Sequence, residues 1–169
     1  MMKLRLSIIL SATIILFSCR GDEEDFQVID QVLKMYVRNA ANQDLLNNRI
    51  PGSYTSVALL DLLDETTAEK PVSGYSLLKD ADTVVYIDYP AGAVRQLKDS
   101  VNPELKTYRS RFIIRYSKTV NSETETDDDI IELEYKWTPT LFELSKLWYD
   151  NELKFTKAPG QPNIVRIVK

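Results

Sequence analysis

The sequence predicts a mainly β fold, and three features support this prediction. Hydrophobic and polar residues alternate with a period of two in the second half of the chain, as in strands that bury one face. Groups of Asn, Asp, Gly and Pro separate the alternating runs, as turns do. The 169 residues, 44% hydrophobic and 27% charged, have the composition and length of a globular protein with one core. We therefore expect one domain, residues 27–169, after an amino-terminal leader.

The first nineteen residues have the order of a secretory signal. Lys3 and Arg5 precede an apolar run over residues 6–17, which is short for a bilayer span. The run closes on Ser18 and on Cys19, the only cysteine, and this ending resembles the lipobox of bacterial lipoproteins. The resemblance implies a cleaved signal peptide over residues 1–18 and attachment of acyl chains such as palmitate to Cys19. The alternatives are an ordinary secreted protein and a short membrane anchor.

Residues 19–26 are expected to form an acidic tether. Four consecutive acidic residues, 22–25, favour a solvated and unfolded segment. The stretch resembles the signal that exports lipoproteins to the cell surface in Bacteroidetes, and a plain hydrophilic linker is the alternative. Several acyl chains on Cys19 exceed the two signals that stable membrane attachment requires. We therefore expect a lipid-anchored protein of the bacterial outer membrane, exposed at the cell surface.

Three segments in the first half of the folded region contain strand signals of different strength. Residues 28–41 place hydrophobic residues at helical spacing, so periodicity alone predicts a helix. Residues 57–64 alternate, but paired leucines break the pattern. Residues 83–89 are predicted to form a strand that Pro90 and Gly92 end.

The clearest pair of strands lies at residues 108–118 and 130–137, joined by a predicted polar loop over residues 119–129. In an antiparallel hairpin, their hydrophobic faces coincide only if the numbers of paired residues sum to an odd number. A sum near 247 sets Arg115 opposite Glu132. Arginines on the polar face are then expected to pair with glutamates of the next strand, and binding of an anionic ligand is the alternative.

Three further strands are predicted towards the carboxyl end. Residues 141–149 and 153–156 flank Asp150 and Asn151, which tolerate the positive φ of a tight hairpin turn. Residues 164–168 follow a turn that contains proline and glycine.

Three stretches resemble small immunoglobulin-like β-sandwich lipoproteins of Bacteroidetes. They are NAANQDLLN at residues 39–47, KLWYDNEL at 146–153 and IVRIVK at 164–169. The resemblance implies an antiparallel immunoglobulin-like sandwich, and it favours a strand over residues 31–39. Asn42 stands where these proteins more often have glycine, which is compatible with a left-handed turn. The group has no known function that could be transferred to this chain.

The composition excludes several chemistries. The chain has no histidine, which removes the usual general base near neutral pH, the commonest metal ligand and histidine-based triads. Loss of residues 1–18 takes two of the 21 basic residues, leaving 19 against 25 acidic residues and a net charge of −6. Such a charge disfavours nucleic-acid binding. We expect no cofactor, no metal ion and no enzymatic activity.

Two motifs with possible chemistry have simpler explanations. Ser76 and Lys79 match the Ser-x-x-Lys of penicillin-recognising enzymes, but the companion motifs are missing. The acidic residues of segment 123–129 lack the glycine and the spacing of a calcium loop, so a solvated loop is expected.

Two short motifs resemble the acceptor of Bacteroidetes O-glycosylation. They are Asp-Thr-Val at residues 82–84 and Asp-Ser-Val at residues 99–101. Thr83 and Ser100 are therefore possible glycosylation sites, and Ser100, in a predicted polar loop, is the better candidate.

The functional hypothesis is a non-catalytic binding or structural module, anchored in the outer membrane through Cys19, for an unknown protein or glycan partner. The alternative is a carboxylate-dependent hydrolase of envelope or dietary polysaccharide, which needs two carboxylates about 5 to 9 Å apart in a cleft. A structural subunit of a surface assembly is a third possibility. Trp137 and Trp148 lie in alternating runs and are expected in the core rather than on a sugar-binding surface.

Overall fold

The computed structural model describes residues 26–63 and 69–169, and these residues form strands and turns without a helix. No helix of this part of the chain is therefore a candidate to cross a membrane. The predicted signal peptide, Cys19 and the tether up to residue 25 lie outside the described residues. The mainly β prediction is confirmed.

The strands are β1 (Val28–Asp30), β2 (Leu33–Arg38), β3 (Ser56–Asp61), β4 (Lys70–Pro71), β5 (Ser76–Lys79), β6 (Val85–Tyr89), β7 (Gln96–Asn102), β8 (Leu105–Val120), β9 (Glu123–Trp137), β10 (Leu141–Tyr149), β11 (Glu152–Thr156) and β12 (Asn163–Val168).

The strands form two sheets. The larger has the order β1-β10-β9-β8-β3-β4, with β11 also paired to β10 and β7 also paired to β8. The smaller has the order β12-β2-β6-β5. Most pairs are antiparallel, but β1–β10 and β12–β2 are parallel, so the prediction of purely antiparallel sheets is wrong. The segment 28–38 is divided between the two sheets: β1 pairs with β10 in the larger sheet and β2 pairs with β12 in the smaller. Both partners are late strands that run in the same direction as the early strand. Alternation of residues along one strand does not reveal which strand pairs with it or in which direction.

One hydrophobic core lies between the two sheets. Its buried side chains come from both, and the ring of Tyr89 on β6 lies with its centroid 4.9 Å from that of Phe112 on β8. Each large side chain that is buried in this way contributes about 1.5–3 kcal/mol of transfer free energy. The two sheets therefore stabilise each other face to face.

The strand over residues 31–39 is confirmed in place of the helix, although it is shorter, as β2. Leu33, Met35, Tyr36 and Val37 are all buried. A strand with both faces covered carries a continuous hydrophobic run, and such a run mimics helical spacing. Asn42, in the turn after β2, has a φ of 65°, as the resemblance implied.

The β8–β9 hairpin is longer than predicted. Its turn consists of Asn121 and Ser122 alone, with φ of 51° and 68°, so the predicted loop over residues 119–129 is wrong. Paired positions sum to 243, which keeps the predicted odd parity but sets Arg115 opposite Asp128 rather than Glu132. A two-residue turn with two positive φ values determines the register, whereas a long loop leaves it open.

The later strands match the predictions closely. Asp150 and Asn151 form the turn between β10 and β11, with φ of 48° and 67°. The terminal strand runs over Asn163–Val168. The predicted strand at residues 83–89 begins later, at Val85, because Thr83 has a φ of 64° in the preceding turn.

Candidate functional site

The two possible glycosylation sites differ in their surroundings. Thr83 lies in the turn before β6 and Ser100 lies within β7, so the prediction of a loop around Ser100 is wrong. β7 is an exposed strand at the side of the larger sheet, and the backbone N–H of Ser100 donates to Asp99 over 2.7 Å. Glycosylation at either residue remains a prediction.

The Ser-x-x-Lys motif does not form a catalytic pair. Ser76 and Lys79 are both on β5 and opposite Asp88 and Val85 respectively. Residues separated by three positions on a strand point to opposite faces, so Lys79 does not reach the Ser76 hydroxyl.

The predicted acidic loop is part of β9. Its three aspartates make ion pairs or hydrogen bonds with protein side chains, with Asp128 bound to Arg115 over 2.6 Å and Asp127 to Lys169 over 2.7 Å. Among residues 26–63 and 69–169, no group of three or more Cys, Asp or Glu side chains is placed to hold a metal ion.

One arginine on the outer face of β8 pairs with a carboxylate of β9, but its partner is Asp128 rather than the predicted Glu132. Arg115 binds Asp128 on β9 and also Glu69, at 3.0 Å, and these hydrogen bonds lower the pKa of both carboxyls. Arg109 lies opposite Glu134 but donates to Gln96 over 3.2 Å instead. Arg115 is therefore occupied by two carboxylates, which does not favour the alternative of an anion site there.

Trp148 is on the outer face, so the prediction that it lies in the core is wrong. A bulge at Ser145 interrupts the pairing of β10 with β9, and the Ser145 hydroxyl donates to the backbone oxygen of Glu134 over 2.9 Å. The extra residue reverses the alternation, so Leu147 is buried and Trp148 points outward. There the Nζ atoms of Lys98 and Lys146 lie 5.4 and 5.9 Å from its ring.

A groove of about 430 Å³ opens at one end of the core. This volume is in the range of small-molecule sites. Its lining combines three aromatic side chains with polar and cationic groups, and no carboxylate is among them. We call it the aromatic groove; its lining residues are Gln27, Ile29, Gln31, Arg95, Tyr108, Trp137 and Phe142.

The aromatic groove continues the inner face of the larger sheet. On β8 the inward-facing row runs from buried Phe112 and Ser110 to half-buried Tyr108 and Lys106. On β9 the same row ends at Trp137, which is half-buried and lies opposite Lys106. The alternation that builds the core therefore also places aromatic rings beyond its end, and Trp137 lies at this boundary rather than inside the core.

The loop after β6 brings Arg95 to the aromatic groove. Gly92 passes so close to the backbone oxygen of Ser73 that an added Cβ would lie 2.3 Å from it. The backbone N–H of Ala93 donates to the Tyr89 hydroxyl over 3.0 Å, and that of Val94 donates to Asp61 over 2.5 Å. Several fixed contacts thus hold the loop in place.

The Arg95 guanidinium lies over aromatic rings. Its central carbon is 5.1 Å from the Phe142 centroid and 5.2 Å from that of Tyr135, and the two rings stack with an interplanar angle of 12°. Burial raises the pKa of Tyr135, and the positive charge of Arg95 opposes this increase. Arg95 donates to the backbone oxygen of Ala91 over 2.9 Å, and within the described residues no carboxylate lies within ion-pair distance of it.

Two glutamine amides complete the polar part of the lining. Gln27 donates to the backbone oxygen of Thr138 over 2.6 Å, and Gln31 donates to that of Pro90 over 3.4 Å. The Oε1 atom of Gln31 is buried and accepts no hydrogen bond within the described part of the chain. Buried polar atoms without a partner are unusual in proteins.

A second polar cluster lies at the opposite end of the β8–β9 hairpin. Lys169 Nζ lies 2.6 Å from Asp129, 2.7 Å from Asp127 and 4.3 Å from the Tyr116 ring centroid, and Tyr149 also donates to Asp129. Burial raises the pKa of Asp129, although Lys169 and Tyr149 both favour its charged form. The hydrogen bond from Lys169 lowers the pKa of Asp127. The contacts of Lys169 with Asp127 and Asp129 join the end of the smaller sheet to the larger, and the buried hydroxyl of Tyr116 has no hydrogen-bond partner within the described residues.

Sequence reasoning missed the aromatic groove. Arg95 was only part of the loop that follows Pro90, and no local pattern distinguishes it from other exposed arginines. The position of Trp137 at the end of an alternating run is a weak signal for a ring at the edge of the core. Comparisons of the chain with protein-family models, with curated proteins and with solved structures gave no match.

Proposed function

We propose that this protein is a non-catalytic binding module of the cell envelope and that it holds a glycan or protein partner in the aromatic groove. The observation that carries the proposal is a cavity of about 430 Å³ that combines Tyr108, Trp137 and Phe142 with the unpaired charge of Arg95. Aromatic surface with a few placed polar groups is the usual composition of a ligand site. A loop held by Gly92 and by backbone hydrogen bonds keeps Arg95 in position before binding, which reduces the entropic cost of association.

The geometry favours binding over hydrolysis. A carboxylate-dependent hydrolase needs one carboxyl with a raised pKa and a second that faces it across a cleft. The aromatic groove has no carboxylate in its lining. A smaller cavity beside Tyr54 does contain Glu125 and Asp127, but both make ion pairs and the pKa of Asp127 is lowered. The aromatic groove thus lacks the two carboxylates that glycoside hydrolysis requires.

The proposal includes an immunoglobulin-like sandwich as the fold. Two sheets that share one core support it, as does the division of the first strand segment, with β1 in the larger sheet and β2 in the smaller. Loops and edges of such sandwiches are common positions for binding sites.

The proposal also includes a lipid anchor on Cys19 in the bacterial outer membrane, with the domain at the cell surface. Its support is the order of basic head, apolar run and Ser18-Cys19. In the native host, radioactive palmitate should label the wild-type protein and should not label Cys19→Ala. The variant should leave the membrane fraction, and external protease should degrade the wild-type domain on intact cells. Membrane retention of Cys19→Ala would contradict the anchor.

Binding is tested with the full lipidated chain in detergent on an array of envelope and dietary oligosaccharides and of immobilised peptides. A probe that binds should lose at least tenfold in affinity with Trp137→Ala, because that ring lines the groove. Trp148→Ala is the matched control, since this tryptophan lies on the outer face, and it should bind as the wild type does. Failure of every probe to bind, or equal binding by both variants, would refute the aromatic groove as the binding site.

A further inference from the structure

We infer that the aromatic groove selects a negatively charged sugar, a uronic acid unit of an acidic polysaccharide, with the sugar ring against an aromatic side chain and its carboxylate on Arg95. The inference rests on the proposed function and names the ligand class of the same site.

Charge is the first argument. The chain as a whole is negative, with a net charge of −4, yet the lining of the aromatic groove contains a cation and no anion. A second cation stands at its rim, where Lys106 Nζ lies 4.7 Å from the Trp137 ring centroid. In the described part of the chain, neither Arg95 nor Lys106 has a carboxylate within ion-pair distance. A positive site on a negative protein is complementary to an anionic ligand.

The geometry of Arg95 is the second argument. Its side chain is stacked on Phe142 and Tyr135, and its hydrogen bond to Ala91 uses one of five N–H groups. A guanidinium fork binds a carboxylate through two parallel hydrogen bonds. Arg115 shows the contrasting case in the same chain, since two carboxylates already occupy its guanidinium.

The other lining residues favour a sugar that carries a carboxylate over other ligands that carry one. The apolar face of a pyranose packs on the rings of Trp137 or Tyr108, and its hydroxyl groups suit the amides of Gln27 and Gln31. An aspartate or glutamate side chain of a peptide supplies the carboxylate but has no flat apolar face. One uronic acid unit supplies the carboxylate, the apolar ring face and the hydroxyl groups, and it fits within the volume of the groove.

The test compares trisaccharides of glucuronic, galacturonic and mannuronic acid with their methyl esters, which keep the ring and remove the charge. The full lipidated chain in detergent is titrated by calorimetry. At least one acidic trisaccharide should bind, its methyl ester should bind at least tenfold more weakly, and Arg95→Gln should lose at least tenfold in affinity for the acid alone. Arg109→Gln, on the outer face, is the matched control and should bind as the wild type does.

The other outcomes separate this inference from the proposed function. Equal binding of acid and ester that still depends on Trp137 would overturn charge selection and leave a binding module. Arg95-dependent binding of an acidic peptide, without any acidic sugar, would overturn the sugar class. If no uronic acid trisaccharide binds while another array probe does, the inference fails alone; if nothing binds, both proposals fail.

Discussion

Lys169 Nζ lies 2.6 Å from Asp129 Oδ2, and this ion pair joins the end of β12 in the smaller sheet to β9 in the larger. The side chain of Lys169 is 16% exposed and that of Asp129 is 6% exposed. The ion pair therefore lies at the edge of the hydrophobic core, where the contacts between the two sheets become polar. Removal of one partner leaves the other charge poorly solvated.

Lys169→Met should lower the free energy of unfolding by about 2–4 kcal/mol, somewhat less than for a fully buried pair. Urea titration measures this difference. Lys136→Met is the control, since Lys136 is exposed, and it should change stability by less than about 0.5 kcal/mol. The double variant Lys169→Met with Asp129→Asn should be more stable than the sum of the single effects predicts; strict additivity would contradict a coupled pair.

The protein should lose stability as the pH falls below about 4. Hydrogen bonds from cationic partners lower the pKa of Asp127 and Asp128 in the folded state, so their stabilisation is complete above the unfolded value near 3.8 and is lost as the pH falls through the lowered values. Asp129 acts in the opposite direction, because its raised pKa means that the folded state binds its proton more tightly. Urea titrations at pH 7, 4 and 3 should show a falling midpoint for the wild type and a smaller fall for Asp127→Asn. An unchanged pH dependence in Asp127→Asn would contradict this assignment.

Ser122→Gly should stabilise the protein by about 1 kcal/mol, because Ser122 has a φ of 68° in the turn of the β8–β9 hairpin and only glycine adopts this region without cost. Thermal unfolding should show a higher midpoint. Ser76→Gly, within a strand, should lower the midpoint instead. A lower midpoint for Ser122→Gly would exclude the two-residue turn.

The bulge at Ser145 is tested by two neighbouring substitutions. Leu147→Ala should cost about 2–5 kcal/mol because Leu147 is buried in the core. Trp148→Ala should cost about 1 kcal/mol or less, since this ring lies on the outer face beside two lysines. Denaturant unfolding of both variants separates the two positions, and a larger cost at Trp148 would mean that the alternation is not reversed.

Local patterns predicted most strands but not their extent or neighbours. The alternation of residues 130–137 and the Asp150-Asn151 turn depend on side chains close in sequence, and both are found as expected. The sequence did not predict that β9 begins as early as Glu123, because residues 123–129 are polar. Polar residues can form a strand when a neighbouring strand satisfies the backbone hydrogen bonds, and β8 does so here. The parallel pairing of β1 with β10 joins residues more than a hundred positions apart, which no local pattern encodes.

The amino-acid sequence by itself determined the β class, the position of the Asp150-Asn151 turn and the absence of histidine chemistry, because periodicity, turn propensity and composition are local or additive properties. Only the tertiary structure decided that Trp148 faces outward and that Arg95 meets Phe142 and Trp137 in one groove. A single bulge reverses the inward and outward faces of a strand, and the aromatic groove forms where side chains of the segment 27–31, the loop after β6, β8, β9 and β10 meet. The outward position of Trp148 and the aromatic groove both depend on strand register and on packing between residues that are distant in sequence. A short stretch of sequence does not contain the residues that make those contacts, so it cannot predict either feature.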